Sequence, residues 1–134
     1  VYDTIKAFLQ TQFAPLPVID YDQIDTALEH GTDPFLMIEE IFETESQVAI
    51  GDPSGICLRE EVDLLVQCFV PAPESSDVAR RQAEAVKDAL RFRTLSGVRV
   101  TNASPPEAGA MNDGLWTRYG CAVSVERDTH IPIP

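Results

Sequence analysis

Alternation of apolar and polar residues is clearest from Leu58 to Val70, and it predicts one long β-strand there. A strand running from Arg59 to Val70 is about 40 Å long at about 3.3 Å per residue, so we expect it to run the length of a sheet. One face is expected to be dry and the other partly wet. The dry face carries Val62, Leu64, Val66, Cys68 and Val70.

A second strand is predicted from Phe35 to Thr44, with acidic residues interrupting its apolar positions. In a regular strand Glu39, Glu43 and Glu45 share one face, and Glu40 interrupts the other. That other face carries Leu36, Ile38 and Phe42. Residues 45–57 contain Gly-Asp-Pro-Ser-Gly and predict a long loop. The two strands are therefore expected to pair as an antiparallel hairpin.

Helical spacing predicts two longer helices. The first runs from Tyr2 to Phe13 and is ended by the prolines at 15 and 17. The second covers residues 78–92, following possible N-caps in the segment 75–77. Its buried stripe is predicted to comprise Val78, Gln82, Ala85, Val86, Ala89 and Leu90. The acidic segment 18–33 predicts either a short helical turn over 24–28 or a solvated connection.

Two more strands are predicted near the C-terminus, over Val98–Ala103 and Leu115–Arg127, separated by a Pro- and Gly-containing loop at 104–114. The resulting order is α-β-β-α-β-β. It predicts an α+β fold with a mixed, mostly antiparallel sheet and helices packed on one face. We expect one domain over residues 1–128. Residues 129–134 are rich in proline and are expected to form an extended tail outside the central strands.

The charge is strongly acidic, with 22 acids against 10 bases, a formal net charge of −12. Such a surface repels nucleic acid, so we expect no sequence-specific nucleic-acid binding. No apolar run is long enough to span a membrane, and no membrane partner is expected. Segment 80–99 is the exception, with six bases and two acids.

That segment gives the candidate interface. A basic strip on an acidic body suits a head-to-tail contact between copies of the chain. The candidate residues are Arg80, Arg81, Arg91 and Arg93 on one side, and Glu39 and Glu43 on the other. The alternative interpretation is that both groups are solvated faces, which is the usual role of surface charges.

The sequence contains little that indicates a catalytic site or a metal site. The three cysteines form no close pair, which favours a reducing compartment. Cys68 and Cys121 fall on dry strand faces and are expected to be buried. A Cys121 nucleophile paired with His30 or His130 would require them to meet in the fold. The cluster Glu39–Glu45 lacks the spacing of a calcium loop. We therefore expect no metal, no cofactor and no enzymatic activity.

Several short sequence segments show a family resemblance over roughly residues 2–128. A helix precedes PFLMIEEIF, a Gly-containing loop leads into REEVDLLVQCFVP, and the helix-to-strand segment VARRQAEAVKDALRFRTLSGVRV follows, before the late strand GLWTRYGCAVSVERD. The shared details are Phe69-x-Pro71, the turn Leu95-x-Gly97-Val98-Arg99, and the aromatic start Trp116 and Tyr119. This layout resembles the tail-terminator (tail-completion) proteins of long-tailed bacteriophages and prophages.

The resemblance implies a structural virion protein of the tail, assembled in the cytoplasm of a bacterial host. Its expected partners are further copies of itself in a hexameric ring, the tail-tube protein and the head–neck connector, with DNA passing through the ring. A head–tail connector or tail-tube subunit of the same architecture is the first alternative. The others are a small acidic protein-binding module acting as a monomer, and a small enzyme using Cys121 or the Glu39–Glu45 cluster.

Overall fold

A computed structural model describes residues 1–30, 33–49, 55–71, 76–109 and 116–132. The helices are α1 (Tyr2–Gln12), α2 (Ile24–His30) and α3 (Ser76–Leu90), and a single 3-10 turn spans Tyr21–Gln23. The strands are β1 (Val18–Asp20), β2 (Phe35–Ala49), β3 (Gly55–Pro71), β4 (Thr94–Leu95), β5 (Val98–Ala103), β6 (Glu107–Ala108) and β7 (Trp116–Pro132).

All seven strands join one sheet in the order β1-β2-β3-β7-β5-β4, with β6 pairing on β7. The pair β1–β2 is parallel, and the other described pairs are antiparallel. The sheet curls like half of a barrel. The predicted α+β class with a mixed sheet is therefore confirmed, and so is the antiparallel pairing of β2 with β3. The predicted element order lacked β1, β4 and β6.

Helix α1 covers one face of the sheet, which we call the inner face and which carries Leu36, Leu64 and Val123. Its fully buried residues Ile5 and Leu9 lie one turn apart and belong to the same core cluster as those strand residues. The helix ends at Gln12, one residue before the predicted end.

Helix α3 adds to the same cluster with a buried stripe that differs from the prediction. The residues that pack are Ala79, Ala83, Val86 and Leu90. Val86 and Leu90 were predicted correctly, but Val78 is 43% exposed and Ala85 is also exposed. Small alanines bring the helix backbone close to the sheet, so they occupy the contact and displace the bulkier Val78 to the surface.

The opposite face, the outer face, has its own smaller core at one end. The rings of Phe35 and Phe69 stack with centroids 4.9 Å apart, and Trp116 meets Phe35 edge-on at 5.3 Å. Helix α2 packs on this cluster through Ile24, Ala27 and Leu28, and the Trp116 indole N–H donates to the Leu28 carbonyl at 3.3 Å.

The expectation that all helices share one face is therefore wrong for α2. The start of β2 is apolar on both faces, because Phe35 and Met37 alternate with Leu36 and Ile38. Both faces of this end need cover. Helices α1 and α3 supply residues to the inner-face cluster, and α2 supplies residues to the outer-face cluster.

Three strands extend well past this layered core. Strand β2 continues to Ala49 and β3 begins at Gly55, so much of the predicted 45–57 loop is strand. Strand β7 continues through Thr129–Pro132, paired with β3 on one side, where the sequence predicted an extended tail. Pro132 is accommodated because it lies at the end of the ladder, opposite Gly55. Parts of the two predicted loops and of the predicted tail lie outside the described residues, namely 50–54, 110–114 and 133–134.

Candidate interface at the two sheet edges

One edge of the sheet is formed by β2 and is only partly covered. Strand β1 pairs with it over Val18–Asp20, opposite Leu36–Ile38. From Glu39 onward no described strand pairs with that side of β2. Its outward backbone groups are therefore available to solvent or to a partner. We call the segment Glu39–Ser46 the acidic edge.

A β-bulge at Ile41 reorganises this edge. Glu40 lies opposite Leu64, but Phe42 lies opposite Asp63, so Ile41 has no cross-strand partner. An extra residue in one strand shifts the alternation of side chains after it. The result is two consecutive exposed apolar side chains, with Ile41 56% exposed and Phe42 57% exposed.

The bulge also overturns the predicted placement of the acids. Residues directly opposite each other in a ladder share a face. Glu39 lies opposite Leu65 on the outer face, whereas Glu43 lies opposite Val62 on the inner face. The prediction that Glu39, Glu43 and Glu45 share a face is therefore wrong, because Glu39 keeps its predicted face and the bulge moves Glu43 and Glu45 to the other one. Phe42 likewise leaves the face of Leu36 and Ile38.

The same shift places Glu40 and Glu43 on one face, close enough to interact. A hydrogen bond with Glu43, then partial loss of hydration, then repulsion from the negative charge of Glu43 raise the pKa of Glu40. Both residues are exposed. The acidic edge is therefore a region where negative charges already repel each other, and an incoming cation would relieve that repulsion.

A shallow hollow of about 420 Å³ adjoins the acidic edge where β1 ends. It is lined by Tyr2, Asp20, Tyr21, Asp22, Ile38, Glu39 and Glu40. The Tyr2 hydroxyl donates to Asp20, and the Lys6 ammonium lies 2.9 Å from the same carboxylate. These two donors lower the pKa of Asp20. Tyr21 is 54% exposed at the hollow, so the site combines an aromatic ring with several acids.

Two basic residues, Arg91 and Arg93, lie at the other end of the sheet order, next to β4. Helix α3 ends at Leu90, and residues Arg91–Arg93 form a turn that leads into β4, which we call the basic turn. Backbone hydrogen bonds from Arg91 to Lys87 and from Arg93 to Leu90, at 2.9 and 3.1 Å, hold it in place. Its central residue, Phe92, is 77% exposed.

The conformation of Phe92 is unusual. Its φ is 58°, in the left-handed region where a bulky side chain is uncommon and costs about 1–2 kcal/mol. The guanidinium of Arg91 lies 5.3 Å from the centre of the Phe92 ring. Arg93 faces its own chain, donating to the Ala89 carbonyl at 2.8 Å and lying over the Phe8 ring at 4.9 Å. Arg91 and Phe92 are thus the outward pair of the basic turn.

The predicted basic strip does not stay together in the fold. Arg80 and Arg81 lie near the start of α3, about 15 Å along the helix axis from Arg91. Arg80 pairs with Asp77 at 3.0 Å and lies 3.9 Å from Glu84. Arg99 sits on the outer face and pairs with Glu126 at 2.9 Å and Asp128 at 3.0 Å. Among the predicted interface arginines, Arg81 and Arg91 are both exposed, and Arg91 lies beside the exposed ring of Phe92.

The structure also places the residues that the sequence offered for catalysis or metal binding. Cys68 and Cys121 are buried, as predicted. Cys121 and His130 lie on one strand, nine residues apart or about 30 Å, so they cannot form a nucleophile–base pair. Among the described residues, no group of three or more His, Cys, Asp or Glu is arranged to hold a metal ion. In the same part of the chain, no helix is long and apolar enough to cross a membrane.

The three most exposed large hydrophobic residues among those described, Ile41, Phe42 and Phe92, were not among the sequence candidates. Phe92 did carry a signal, since it is a lone aromatic residue between two arginines at the end of the predicted helix. The bulge that exposes Ile41 and Phe42 depends on how β2 pairs with β3, and no local pattern in EEIFE reports it.

No protein-family model matches the chain, and no curated protein matches it. Solved structures do match. One of them, known only by a sequence identifier, aligns with a TM-score of 0.54 at 15% identity, over 98% of this chain and 91% of that chain. At this identity the likeness shows a shared fold and nothing about function.

Proposed function

We propose that the chain is a structural virion protein, a tail terminator that forms a ring on the end of a phage tail tube. The ring ends tube polymerisation and joins the tail to the head–neck complex. The family resemblance in the sequence supports this role. The observation that carries the proposal is that two separate edges of one sheet differ in charge and that each exposes apolar side chains.

Two different complementary patches are what a cyclic assembly needs. A contact between unlike patches repeats around a ring if the rotation closes, and continues as an open helix if it does not. The acidic edge and the basic turn are unlike patches on one chain. A net charge of −12 also suits a ring whose lumen DNA must cross without binding.

The proposal places the protein in the virion tail after assembly in the host cytoplasm. Its proposed partners are other copies of itself, six in the complete ring, together with the tube protein and the head–neck connector. A connector or tube subunit remains the second candidate, because the same pair of patches would serve a ring or an open tube. Neither role involves a cofactor or catalysis.

Sedimentation and electron microscopy together test this function. We expect a closed oligomer of fixed stoichiometry that becomes more populated from micromolar to millimolar protein and at low ionic strength. Negatively stained particles should be rings. Open filaments of indefinite length would favour the tube subunit. A monomer at every concentration and ionic strength would contradict self-assembly and favour the acidic binding module.

A further inference from the structure

We propose that the basic turn of one copy docks on the acidic edge of the next copy, with Phe92 packing against Ile41 and Phe42. This inference rests on the proposed function, because it specifies how neighbouring subunits of the ring meet. It commits to one occupant for the open edge of β2, a second copy of this chain in head-to-tail orientation.

Charge decides against the symmetric alternatives. Pairing the β2 edge of one copy with the β2 edge of another would bring Glu39, Glu40 and Glu43 against the same acids. Like charges facing each other destabilise a strand pair. Two basic turns would repel each other in the same way through Arg91 and Arg93. A contact between the acidic edge and the basic turn removes both repulsions.

The apolar residues point to the same pairing. The exposed large hydrophobic residues among those described are Tyr21, Ile41, Phe42, Val78 and Phe92. Tyr21, Ile41 and Phe42 lie at or beside the acidic edge, and Phe92 forms the tip of the basic turn. A left-handed Phe92 that is 77% exposed gains little from packing within its own chain. A second copy that buries the ring would supply the missing stabilisation.

The contact is expected to use side chains instead of a continued strand ladder. The bulge at Ile41 and the charges around it discourage direct strand addition to β2. Arg91 lies beside Phe92, so the two side chains approach together. The hollow beside the edge offers Glu39 and Glu40 to the guanidinium and Tyr21 to the aromatic ring.

The test uses two variants that each remove one half of the contact. Phe92→Asp places an acid in the basic turn, and Phe42→Asp places one on the acidic edge. Each variant alone should fail to form the oligomer seen for the unaltered protein. Mixed together, they should form a one-to-one heterodimer, because the intact turn of the Phe42→Asp copy meets the intact edge of the Phe92→Asp copy. The milder Phe92→Ala should weaken self-association about 10- to 100-fold.

Matched controls separate the contact from general surface effects. Val78→Asp alters another exposed hydrophobic residue, and Arg80→Glu alters an arginine of α3 outside the basic turn. Both should assemble like the unaltered protein. Circular dichroism and cooperative urea unfolding check that all four aspartate and glutamate variants fold, as expected for changes at exposed positions.

The outcomes distinguish this contact from the ring itself. If rings form with Phe92→Asp as they do without it, the contact is wrong and the ring stands. A further outcome is that both variants abolish assembly and complement each other while the unaltered protein forms open filaments. In that case the contact is correct and the terminator function is wrong. A protein that never self-associates overturns both. A mixture that stays monomeric, while the unaltered protein assembles, overturns the head-to-tail pairing.

Discussion

The two ends of the long strands are held by different forces. At the layered end, α1 and α3 cover the inner face of β2, β3 and β7 and α2 covers the outer face, and residues such as Leu64, Val66 and Val123 are almost fully buried. At the other end the strands run on as an arm formed by Glu43–Ala49, Gly55–Glu61 and Glu126–Pro132. Strands β3 and β7 pair without a register shift through both ends, whereas most arm side chains whose burial is described are half-buried or exposed.

The arm relies on ion pairs where the layered end relies on burial. The Arg59 side chain lies 2.9 Å from Asp128, and Arg127 lies 2.7 Å from Glu60. Partly exposed ion pairs each contribute little to stability. Segments with few buried contacts open more readily than the global fold. The acidic edge spans the boundary between the two ends, because Glu39–Phe42 precede the arm and Glu43–Ser46 belong to it.

Two leucines on one face of β3 are expected to show the largest difference between the two ends, in the free energy of unfolding. Leu64→Ala removes a fully buried side chain from the layered end and should lower the free energy of unfolding by about 2–5 kcal/mol. Leu58→Ala removes a half-buried side chain from the arm and should cost less than about 1.5 kcal/mol. Urea unfolding measures both. Equal costs would mean that the arm is packed as firmly as the core.

Two cysteines on the same strand are expected to differ in the rate at which their thiols react, which is the next largest effect. Cys57 lies in the arm and is half-buried, whereas Cys68 lies in the layered end and is buried. Burial raises the pKa of the Cys68 thiol, and burial raises that of Cys121 to about 11. The thiolate is the reactive form, so Cys57 should react with an aromatic disulfide reagent at least ~100-fold faster than the other two at mildly alkaline pH.

The control for this labelling is built into the chain. Cys57→Ser should remove the fast phase and leave the two slow thiols unchanged, and in concentrated urea all remaining thiols should react at similar rates. If the native protein showed three thiols of one rate, the layered end would open as often as the arm.

The layered end is also where the sequence was most informative. Strand β3 alternates so regularly that its five inner residues were all predicted to be on the dry side, and each is buried. The bounds of β5, Val98–Ala103, were predicted residue for residue. In both cases the pattern that forms the element is local, because a buried face must be apolar at every second position.

The arm and the edges depend on partners that no local pattern reveals. Strand β1 is three residues long and exists only because β2 pairs with it. The continuation of β7 through Thr129–Pro132 depends on β3 lying alongside. The bulge at Ile41 is a property of two strands together, so it changed the faces of Phe42 and Glu43 without leaving a trace in either strand alone. The acidic edge depends on this pairing, which is why the sequence indicated Glu39 and Glu43 but not Ile41 and Phe42, which the bulge exposes.

The smallest effect concerns the charges that hold the arm on its outer face. Hydrogen bonds from Arg59 and then Arg99 hold the pKa of the Asp128 carboxyl at about 2, below its usual value near 3.8. A carboxyl whose pKa is lowered by folding stabilises the fold above its unfolded pKa. That stabilisation is lost as the pH falls through the folded pKa. The window for Asp128 therefore runs from about pH 4 down to about pH 2.

Asp128→Asn should remove this contribution. We expect the unaltered protein to exceed the variant slightly in free energy of unfolding at neutral pH, with a constant difference down to about pH 4 that disappears by about pH 2. Urea unfolding across this range measures it. Asp88→Asn, at a carboxylate whose side chain is 70% exposed on α3, is the matched control for the loss of one negative charge outside the arm. A difference that persists at the acidic limit would mean that Asp128 holds the arm by packing and that its charge contributes nothing.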